Sequence, residues 1–145
     1  RGHSVTGADI DTVDITQPAS LEAAFESVQP ELVIHCAALT AVDYCAEHPD
    51  EAVAVNGFGT QTVALACQSH GAALAYISTN EVFAGTSRAL YQEYDAPAPV
   101  NPYGYSKWVG EKKAAMSQAD KRRFCRVYAD QNQFVISGEE RVPGF

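Results

Sequence analysis

The stretch that decides the fold begins with Leu74-Ala75-Tyr76-Ile77, which is followed directly by two hydroxyl side chains, Ser78 and Thr79. A short apolar run bounded by turn residues predicts a buried strand. The second part of the stretch is Asn101-Pro102-Tyr103-Gly104-Tyr105-Ser106-Lys107, at the start of a helical pattern. Open α/β sheets bind their ligands at the carboxyl ends of the strands. The order of strand, hydroxyl pair, loop and helix therefore predicts a functional site at this edge.

Three side chains of this stretch predict a proton-transfer site. Tyr103 and Lys107 are one helical turn apart, so they project from the same face of the helix. We expect the Lys107 ammonium to favour the phenolate and to lower the pKa of Tyr103. We expect Thr79 to hold a substrate carbonyl oxygen while Tyr103 gives or takes the proton. An isolated Tyr-x-x-x-Lys is more often a surface pair, and an isolated Ser-Thr a helix cap or turn.

The rest of the chain alternates apolar strands with helical patterns. We expect strands at about 4–8, 31–37, 73–77 and 124–128, and helices at about 21–28, 50–69 and 103–117. An acidic loop is expected at 43–49, and the continuous apolar run at 31–37 suits a parallel strand covered on both faces. This alternation predicts an α/β fold, a Rossmann-like doubly wound parallel sheet.

Composition narrows the classes of partner. The chain has 145 residues, 46% of them hydrophobic, which is enough for one domain with a core. Its net charge of −8 argues against nucleic acid or an anionic membrane as a partner, since both need clustered basic residues. No apolar run approaches the roughly 20 residues of a membrane span, and we expect a cytoplasmic protein. The four cysteines lack Cys-x-x-Cys spacing, and the four histidines lack paired ligand spacing, so no metal site is predicted.

The end of the strand at 31–37 is a second candidate position for a ligand. Ala37 and Ala38 are small enough to let a cofactor approach the backbone, and Thr40 offers a hydroxyl group to it. Asp9 follows the first expected strand and either bonds the ribose hydroxyls of a dinucleotide or is a loop aspartate. His35, within the apolar run, is interpreted as a packed core histidine without a functional role.

Two groups of motifs carry a resemblance to a known family. Ile77-Ser78-Thr79-Asn80-Glu81-Val82-Phe83-Ala84-Gly85, followed by the Asn101–Lys107 motif, resembles the extended short-chain dehydrogenase/reductase superfamily. Within it, Cys36-Ala37-Ala38-Leu39-Thr40-Ala41-Val42-Asp43, with Glu47, Pro49 and Val55-Asn56 after it, is similar to dTDP-4-dehydrorhamnose reductases. The resemblance covers about residues 1–118. Asn80-Glu81 departs from the commoner Asp-Tyr of these reductases.

The resemblance implies an activity and a set of site residues. The activity is NAD(P)H-dependent reduction of the 4-keto group of dTDP-4-dehydro-6-deoxy-L-mannose to dTDP-L-rhamnose, with Thr79, Tyr103 and Lys107 as catalytic residues and NADPH or NADH as cofactor. The residues that it implies at the cofactor are Asp14, Ile15, Ala37, Ala38, Thr40, Asn56, Ser78, Tyr103 and Lys107. Asp14 is alternatively a turn residue, and Asn56 a plain polar residue of a helix.

The expected Rossmann fold is incomplete. The chain starts with Arg1 rather than Met and contains no Gly-x-x-Gly-x-x-Gly, the turn that binds a pyrophosphate at a helix N-terminus. We therefore expect the first strand, the Gly-rich turn and the C-terminal substrate region to be missing. Residues 1–128 are interpreted as a partial NAD(P)-binding Rossmann domain, and 129–145 as an unassigned tail. Residues 1–145 alone are expected to bind cofactor poorly and to turn over negligibly.

Three other interpretations stay open at this stage. The first is a nucleotide-sugar epimerase or dehydratase of the same superfamily. The second is a non-catalytic, reductase-like regulatory subunit of methionine adenosyltransferase. The third is a decayed gene product without function. The expected partner is a nucleotide-sugar substrate, and the resemblance allows a homodimer of the full-length protein.

Overall fold

A computed structural model describes residues 2–87, 91–92, 94–118, 120, 123–130 and 133–137. The helices are α1 (Pro18–Val28), α2 (Val42–Glu47), α3 (Pro49–Ala52), α4 (Thr60–His70) and α5 (Pro102–Ser117). A π-helical segment, Val53–Gly59, joins α3 to α4, and a 3-10 turn, Asn80–Val82, follows the second strand. The strands are β1 (Leu32–His35), β2 (Ala73–Thr79), β3 (Phe124–Asp130) and β4 (Gln133–Ser137). The helices predicted at 21–28, 50–69 and 103–117 are confirmed.

The strands form one sheet in the order β1-β2-β3-β4. β1 pairs with β2 and β2 with β3 in parallel, whereas β3 and β4 are antiparallel. In this register His35 lies opposite Tyr76, and Thr79 lies opposite Ala129. The α/β fold with parallel strands is confirmed. The carboxyl ends of β1, β2 and β3 consequently lie at one edge of the sheet.

Two segments differ from the prediction in their secondary structure. Residues 4–8 do not form a strand, and Val5 is 87% exposed. Nothing in the described ranges pairs with this segment, and a strand without a partner leaves its backbone groups unpaired. Residues 43–49 are not a loop, because α2 occupies most of them. Its Cys45 is fully buried, and Asp43 lies in its first turn, where the helix dipole favours an acidic side chain.

One face of the parallel sheet is covered by helices. Val33 packs against the main core, and His35 is buried and bonded to α4. The opposite face of β1 carries Ile34, which is 58% exposed. The prediction that this strand is covered on both faces is therefore wrong for the described residues. The doubly wound arrangement needs both faces covered, and here the described part of the chain covers one face of β1.

The core lies between this face and the helices. Its buried members are Ile15, Leu21, Phe25, Val63, Ala64, Ala66, Cys67, Ala72, Leu74 and Ala114. The expected tail at 129–145 contributes the end of β3 and the whole of β4, while residues 131–132 and 138–145 lie outside the described residues. Across the part of the chain that the structure describes, no helix combines the length and the apolar surface that crossing a membrane requires.

Glycines in the helical segments let neighbouring parts of the chain approach them closely. A Cβ atom on Gly57 would lie 2.8 Å from Cγ1 of Val109 on α5, and one on Gly59 would lie 2.9 Å from Cδ1 of Ile15. On α5, a Cβ atom on Gly110 would lie 2.6 Å from the Tyr76 hydroxyl oxygen and would also collide with a backbone carbonyl oxygen. These contacts explain why glycines are tolerated in helices, where each costs about 1 kcal/mol against alanine.

Substitution of Gly110 tests this packing. Because a backbone carbonyl cannot move aside as a flexible side chain can, we expect Gly110→Ala to lower the free energy of unfolding by about 3 kcal/mol. Gly7→Ala is the matched control, since a Cβ atom there meets nothing within 4 Å. Its effect should stay within about 0.5 kcal/mol in urea unfolding. Equal stability of the two variants would contradict the packing described here.

Candidate active site

The site lies where β2 ends and α5 begins. Pro102 occupies the first turn of α5, where its missing N–H costs nothing. Asn101 caps the helix, because its Oδ1 accepts a hydrogen bond from the Gly104 N–H at 2.7 Å. The Nδ2 of Asn101 donates to Oε2 of Glu81 at 2.7 Å, which ties the cap to the 3-10 turn after β2. Gly104 packs on the Glu81 backbone, leaving no room for a side chain. These contacts fix the first turn of α5 beside the end of β2.

The fixed turn brings Tyr103 and Thr79 together. Thr79 is 7% exposed at the end of β2, and Tyr103 is half-buried in the first turn of α5. Burial raises the pKa of Tyr103, and the neighbouring Thr79 side chain offsets part of this rise. The Thr79 hydroxyl also accepts the Glu81 N–H at 3.3 Å. A phenol and a threonine hydroxyl thus meet at the carboxyl edge of the parallel sheet.

Lys107 completes the group from one turn further along α5. The residue is 3% exposed, and its Nζ donates to the Ile77 carbonyl oxygen at 2.7 Å. The same nitrogen lies 4.3 Å from the centroid of the Tyr76 ring, a cation–π distance. Burial lowers the pKa of Lys107 to about 8, although the charge of Glu111 raises it. The Lys107 amine, one helical turn after Tyr103, therefore titrates near physiological pH.

The expected influence of Lys107 on Tyr103 is not what the structure shows. The pKa of Tyr103 is raised, because burial of the phenol outweighs the hydrogen bond from Thr79. Lys107 bonds the strand carbonyl and faces the Tyr76 ring instead. The prediction that Lys107 lowers the pKa of Tyr103 is therefore wrong in this structure. Tyr103 holds its proton at neutral pH, as a proton donor must.

A buried series of hydrogen bonds runs from His35 on β1 to the first turn of α5. The Thr60 hydroxyl donates to the Asn56 carbonyl at 2.7 Å, so its oxygen must accept from His35 Nε2, 3.0 Å away. The Asn56 Nδ2 donates to Ser106 Oγ at 2.8 Å, and Ser106 Oγ donates to the Tyr103 carbonyl at 2.7 Å. Because the single proton of the Thr60 hydroxyl goes to the Asn56 carbonyl, His35 is the tautomer protonated on Nε2. The chain connects β1 to the backbone of Tyr103.

Asn56 also holds the loop that follows β1. Its Oδ1 accepts the Leu39 N–H at 2.8 Å, and its Nδ2 donates to the Leu39 carbonyl at 2.9 Å. The expected cofactor positions flank this anchor: Ala37 and Thr40 are exposed, and Ala38 is half-buried. The fully buried amide of Asn56 is used for the loop and for α5. In this structure Asn56 therefore holds the loop and α5 in place at the carboxyl edge of the sheet, while Ala37 and Thr40 form the exposed surface of the loop.

The side chains of the remaining expected cofactor residues are used in contacts within the chain. The Oδ1 of Asp14 accepts the Thr16 N–H at 2.9 Å and the Thr16 hydroxyl at 2.7 Å, and these bonds lower the pKa of Asp14. They are the turn chemistry that the sequence left open as its alternative. Ile15 is 9% exposed and packs in the core against Gly59. Ser78 is buried, and its hydroxyl donates to Glu111 in a short hydrogen bond.

Glu111 is the residue of this region that the sequence analysis missed. It is 2% exposed and bonds Ser78, Arg126 and Tyr128. Its spacing was an available signal, since a position four residues after Lys107 lies on the same helix face as the predicted site. Such a Lys–Glu pair usually lies at the surface, which explains why spacing alone did not single it out. Within the described ranges, no group of three or more His, Cys, Asp or Glu side chains is placed to hold a metal ion.

Comparison with known protein families gives a match over most of the chain. The family described as RmlD substrate binding domain matches residues 1–137. Among individual relatives, dTDP-4-dehydrorhamnose reductase from Streptomyces griseus is 39% identical over 112 residues, which cover 77% of this chain and 37% of that protein. The chain thus spans well under half the length of this relative.

Solved structures give the same picture. The crystal structure of dTDP-4-dehydrorhamnose reductase from Bacillus anthracis in complex with NADP superposes with a TM-score of 0.82 at 35% identity, covering 87% of this chain and 44% of that one. UDP-glucose 4-epimerase from Brucella ovis in complex with NAD superposes with a TM-score of 0.70 at 28% identity, covering 79% of this chain and 36% of that one. The chain is similar to part of each of these proteins.

The burial of His35 gives a pH-dependent stability. Burial, and secondly the charge of Lys107, lower the pKa of His35 to about 3. The unfolded chain takes up a proton near pH 6.5, whereas the folded chain does not until about pH 3, so stability falls as the pH drops between these values. From pH 7 to pH 5 we expect the wild type to lose about 2 kcal/mol more than His35→Gln does.

Urea unfolding at the two pH values measures this difference. His3→Gln is the matched control, because His3 is exposed in the N-terminal segment, and this variant should follow the wild type. The same pH dependence in His35→Gln and in the wild type would show that His35 titrates normally in the folded protein.

Proposed function

The chain belongs to the family of the RmlD substrate binding domain, and we propose that it carries the proton-transfer residues of an NAD(P)H-dependent reductase. The proposed reaction is reduction of the 4-keto group of dTDP-4-dehydro-6-deoxy-L-mannose to dTDP-L-rhamnose. One observation carries this proposal: the first turn of α5, which contains Tyr103, packs against the turn that follows Thr79 at the carboxyl edge of the sheet, with the Lys107 amine buried one turn away. The names of the relatives support the choice of substrate.

Each of the three residues has a distinct proposed role. Thr79 Oγ1 donates a hydrogen bond to the substrate carbonyl oxygen and so orients it toward Tyr103. The raised pKa of Tyr103 keeps its hydroxyl protonated at neutral pH, and this proton passes to the same oxygen as negative charge develops there. The Lys107 amine, held by the Ile77 carbonyl, is the group proposed to orient the bound cofactor.

The residues after β1 fit a nicotinamide cofactor. Ala37 and Ala38 carry the smallest side chains that a chiral residue has, and Thr40 adds an exposed hydroxyl, so a ligand can reach the backbone at this edge. The two Asn56 bonds to Leu39 hold this loop in place without using the open surface. When bound, NADPH or NADH would supply the hydride for the carbonyl carbon. Lys107, whose amine is bound to the Ile77 carbonyl of β2, is the residue proposed to contact the cofactor ribose.

The carboxyl ends of β1 and β2 lie side by side, which explains why the cofactor and the substrate would bind at one site. β1 and β2 are adjacent and parallel, so the loop at 36–40 and the end of β2 open on the same side. A cofactor on the loop would lie next to a substrate held by Thr79. Proximity of this kind is a large contribution to catalysis, since it replaces an encounter of three molecules by a preformed arrangement.

Replacement of the phenol tests the proposed function. In the complete gene product, we expect Tyr103→Phe to lower the rate of NADPH oxidation with the 4-keto sugar by at least about 100-fold, because the proton donor is lost. Tyr105→Phe is the matched control, because Tyr105 lies two residues further along the same helix and is 47% exposed. This variant should oxidise NADPH at the wild-type rate.

Product analysis separates the alternatives. Formation of dTDP-L-rhamnose with stoichiometric loss of NADPH supports the reductase. A redox-neutral change of the sugar would support the epimerase interpretation instead. A wild-type rate in Tyr103→Phe would contradict the role assigned to the phenol.

A further inference from the structure

Glu111 is a buried carboxylate that the proposed mechanism does not use. It is 2% exposed in the middle of α5, where an unpaired charge would be strongly unfavourable. Its Oε1 accepts the short hydrogen bond from Ser78 on β2, and its Oε2 accepts from Nη1 of Arg126 at 3.1 Å and from the Tyr128 hydroxyl at 3.4 Å, both on β3. A single side chain therefore connects α5 to two neighbouring strands.

The position of Glu111 relates these contacts to the site. It follows Lys107 by one helical turn, on the same face of α5. Its partner Ser78 directly precedes Thr79 in β2. The carboxylate is the charge that keeps the Lys107 pKa from falling further under burial. The position of Glu111 thus relates it to Thr79, and its charge relates it to Lys107.

We propose that Glu111 is a positioning residue for the proton-transfer site, because its carboxylate joins α5, the helix that carries Tyr103 and Lys107, to Ser78 near the end of β2 and to Arg126 and Tyr128 on β3. This inference rests on the proposed function for its purpose. The bonds of Glu111 join α5 to β2 and β3. Glu111 forms an ion pair with Arg126, whose side chain is 31% exposed, and Lys107 lies one helical turn away on the same face of α5.

Several other groups face Lys107 and bear on its titration. The aromatic face of Tyr76 on β2 stabilises the ammonium, and the charge of Lys107 helps to lower the pKa of His35 to about 3. The titratable and charged groups around Lys107 and Glu111 are His35 and Cys36 at the end of β1, Tyr76 on β2, Tyr103 on α5, and Arg126 and Tyr128 on β3. Of the charges that influence Lys107, that of Glu111 is the strongest.

The titration of Lys107 tests the inference without requiring turnover. The probe is the chain labelled with carbon-13 at the ε carbon of lysine, followed by NMR from pH 6 to pH 11, with the Lys107 signal assigned by its absence in Lys107→Met. We expect Glu111→Gln to lower the midpoint of Lys107 by about one pH unit, because an opposite charge is removed while burial remains. Glu26→Gln, which removes an exposed carboxylate on α1, should leave the midpoint unchanged.

Arg126→Gln gives a prediction of the opposite sign. It frees the Glu111 carboxylate from its cationic partner, so the midpoint of Lys107 should rise. A packing defect would not move the two variants in opposite directions. If Glu111→Gln does not fold, Arg126→Gln decides, since Arg126 has a 31% exposed side chain and tolerates replacement better. An unchanged Lys107 midpoint in folded Glu111→Gln, or one that fails to rise in Arg126→Gln, overturns the inference.

A second measurement separates this inference from the proposed function. In the complete gene product, the pH at which NADPH oxidation declines on the alkaline side should shift in the same direction as the Lys107 midpoint in each variant. If the midpoints move as expected but no variant oxidises NADPH with the keto sugar, the proposed function fails and the control of Lys107 by Glu111 stands. If turnover is present and its alkaline limit does not follow the midpoints, Glu111 is not a positioning residue for this reaction.

Discussion

The close approach of α5 to β2 is the contact on which the rest of the site depends. Two glycines make it possible, Gly104 against the backbone after β2 and Gly110 against the Tyr76 hydroxyl. With α5 this near, the Lys107 amine reaches a strand carbonyl, and Tyr103 reaches the Thr79 hydroxyl. A side chain at either glycine would push the helix outward and separate these pairs. The chemistry of the site is therefore a consequence of backbone packing.

This packing buries two charged side chains, and the buried polar groups around them offset the cost of removing these charges from water. α5 carries an amine and a carboxylate that are each almost fully buried, and two isolated charges would cost more than their mutual attraction returns. The carbonyl of Ile77 and the Tyr76 ring surround the amine, while hydroxyl groups and Arg126 surround the carboxylate. Retaining charged groups at such a cost is typical of functional sites, where perturbed pKa values are used.

Much of the fold and the three central residues could be predicted from the sequence, because helix periodicity, apolar runs and the spacing of Tyr103 and Lys107 are local properties. The features that could not be predicted depend on contacts with residues that are distant in the sequence. Whether residues 4–8 form a strand depends on a partner for pairing, and the direction of the Tyr103 pKa depends on how burial compares with a hydrogen bond. Glu111 has the spacing of a surface ion pair, and only the position of β3 makes it a buried one.

The π-helical segment before α4 shows how a local irregularity can serve a distant site. Such segments are rare in helices and frequently lie at functional sites. Here the segment contains Asn56, whose amide bonds both the loop after β1 and Ser106 on α5, while its carbonyl accepts from Thr60. A regular helix would carry that carbonyl to an N–H group four residues later and would rotate the amide relative to the loop. The irregular turn thus lets one side chain fix the loop after β1 and α5 together, on the two sides of the edge where the proposed ligands would meet.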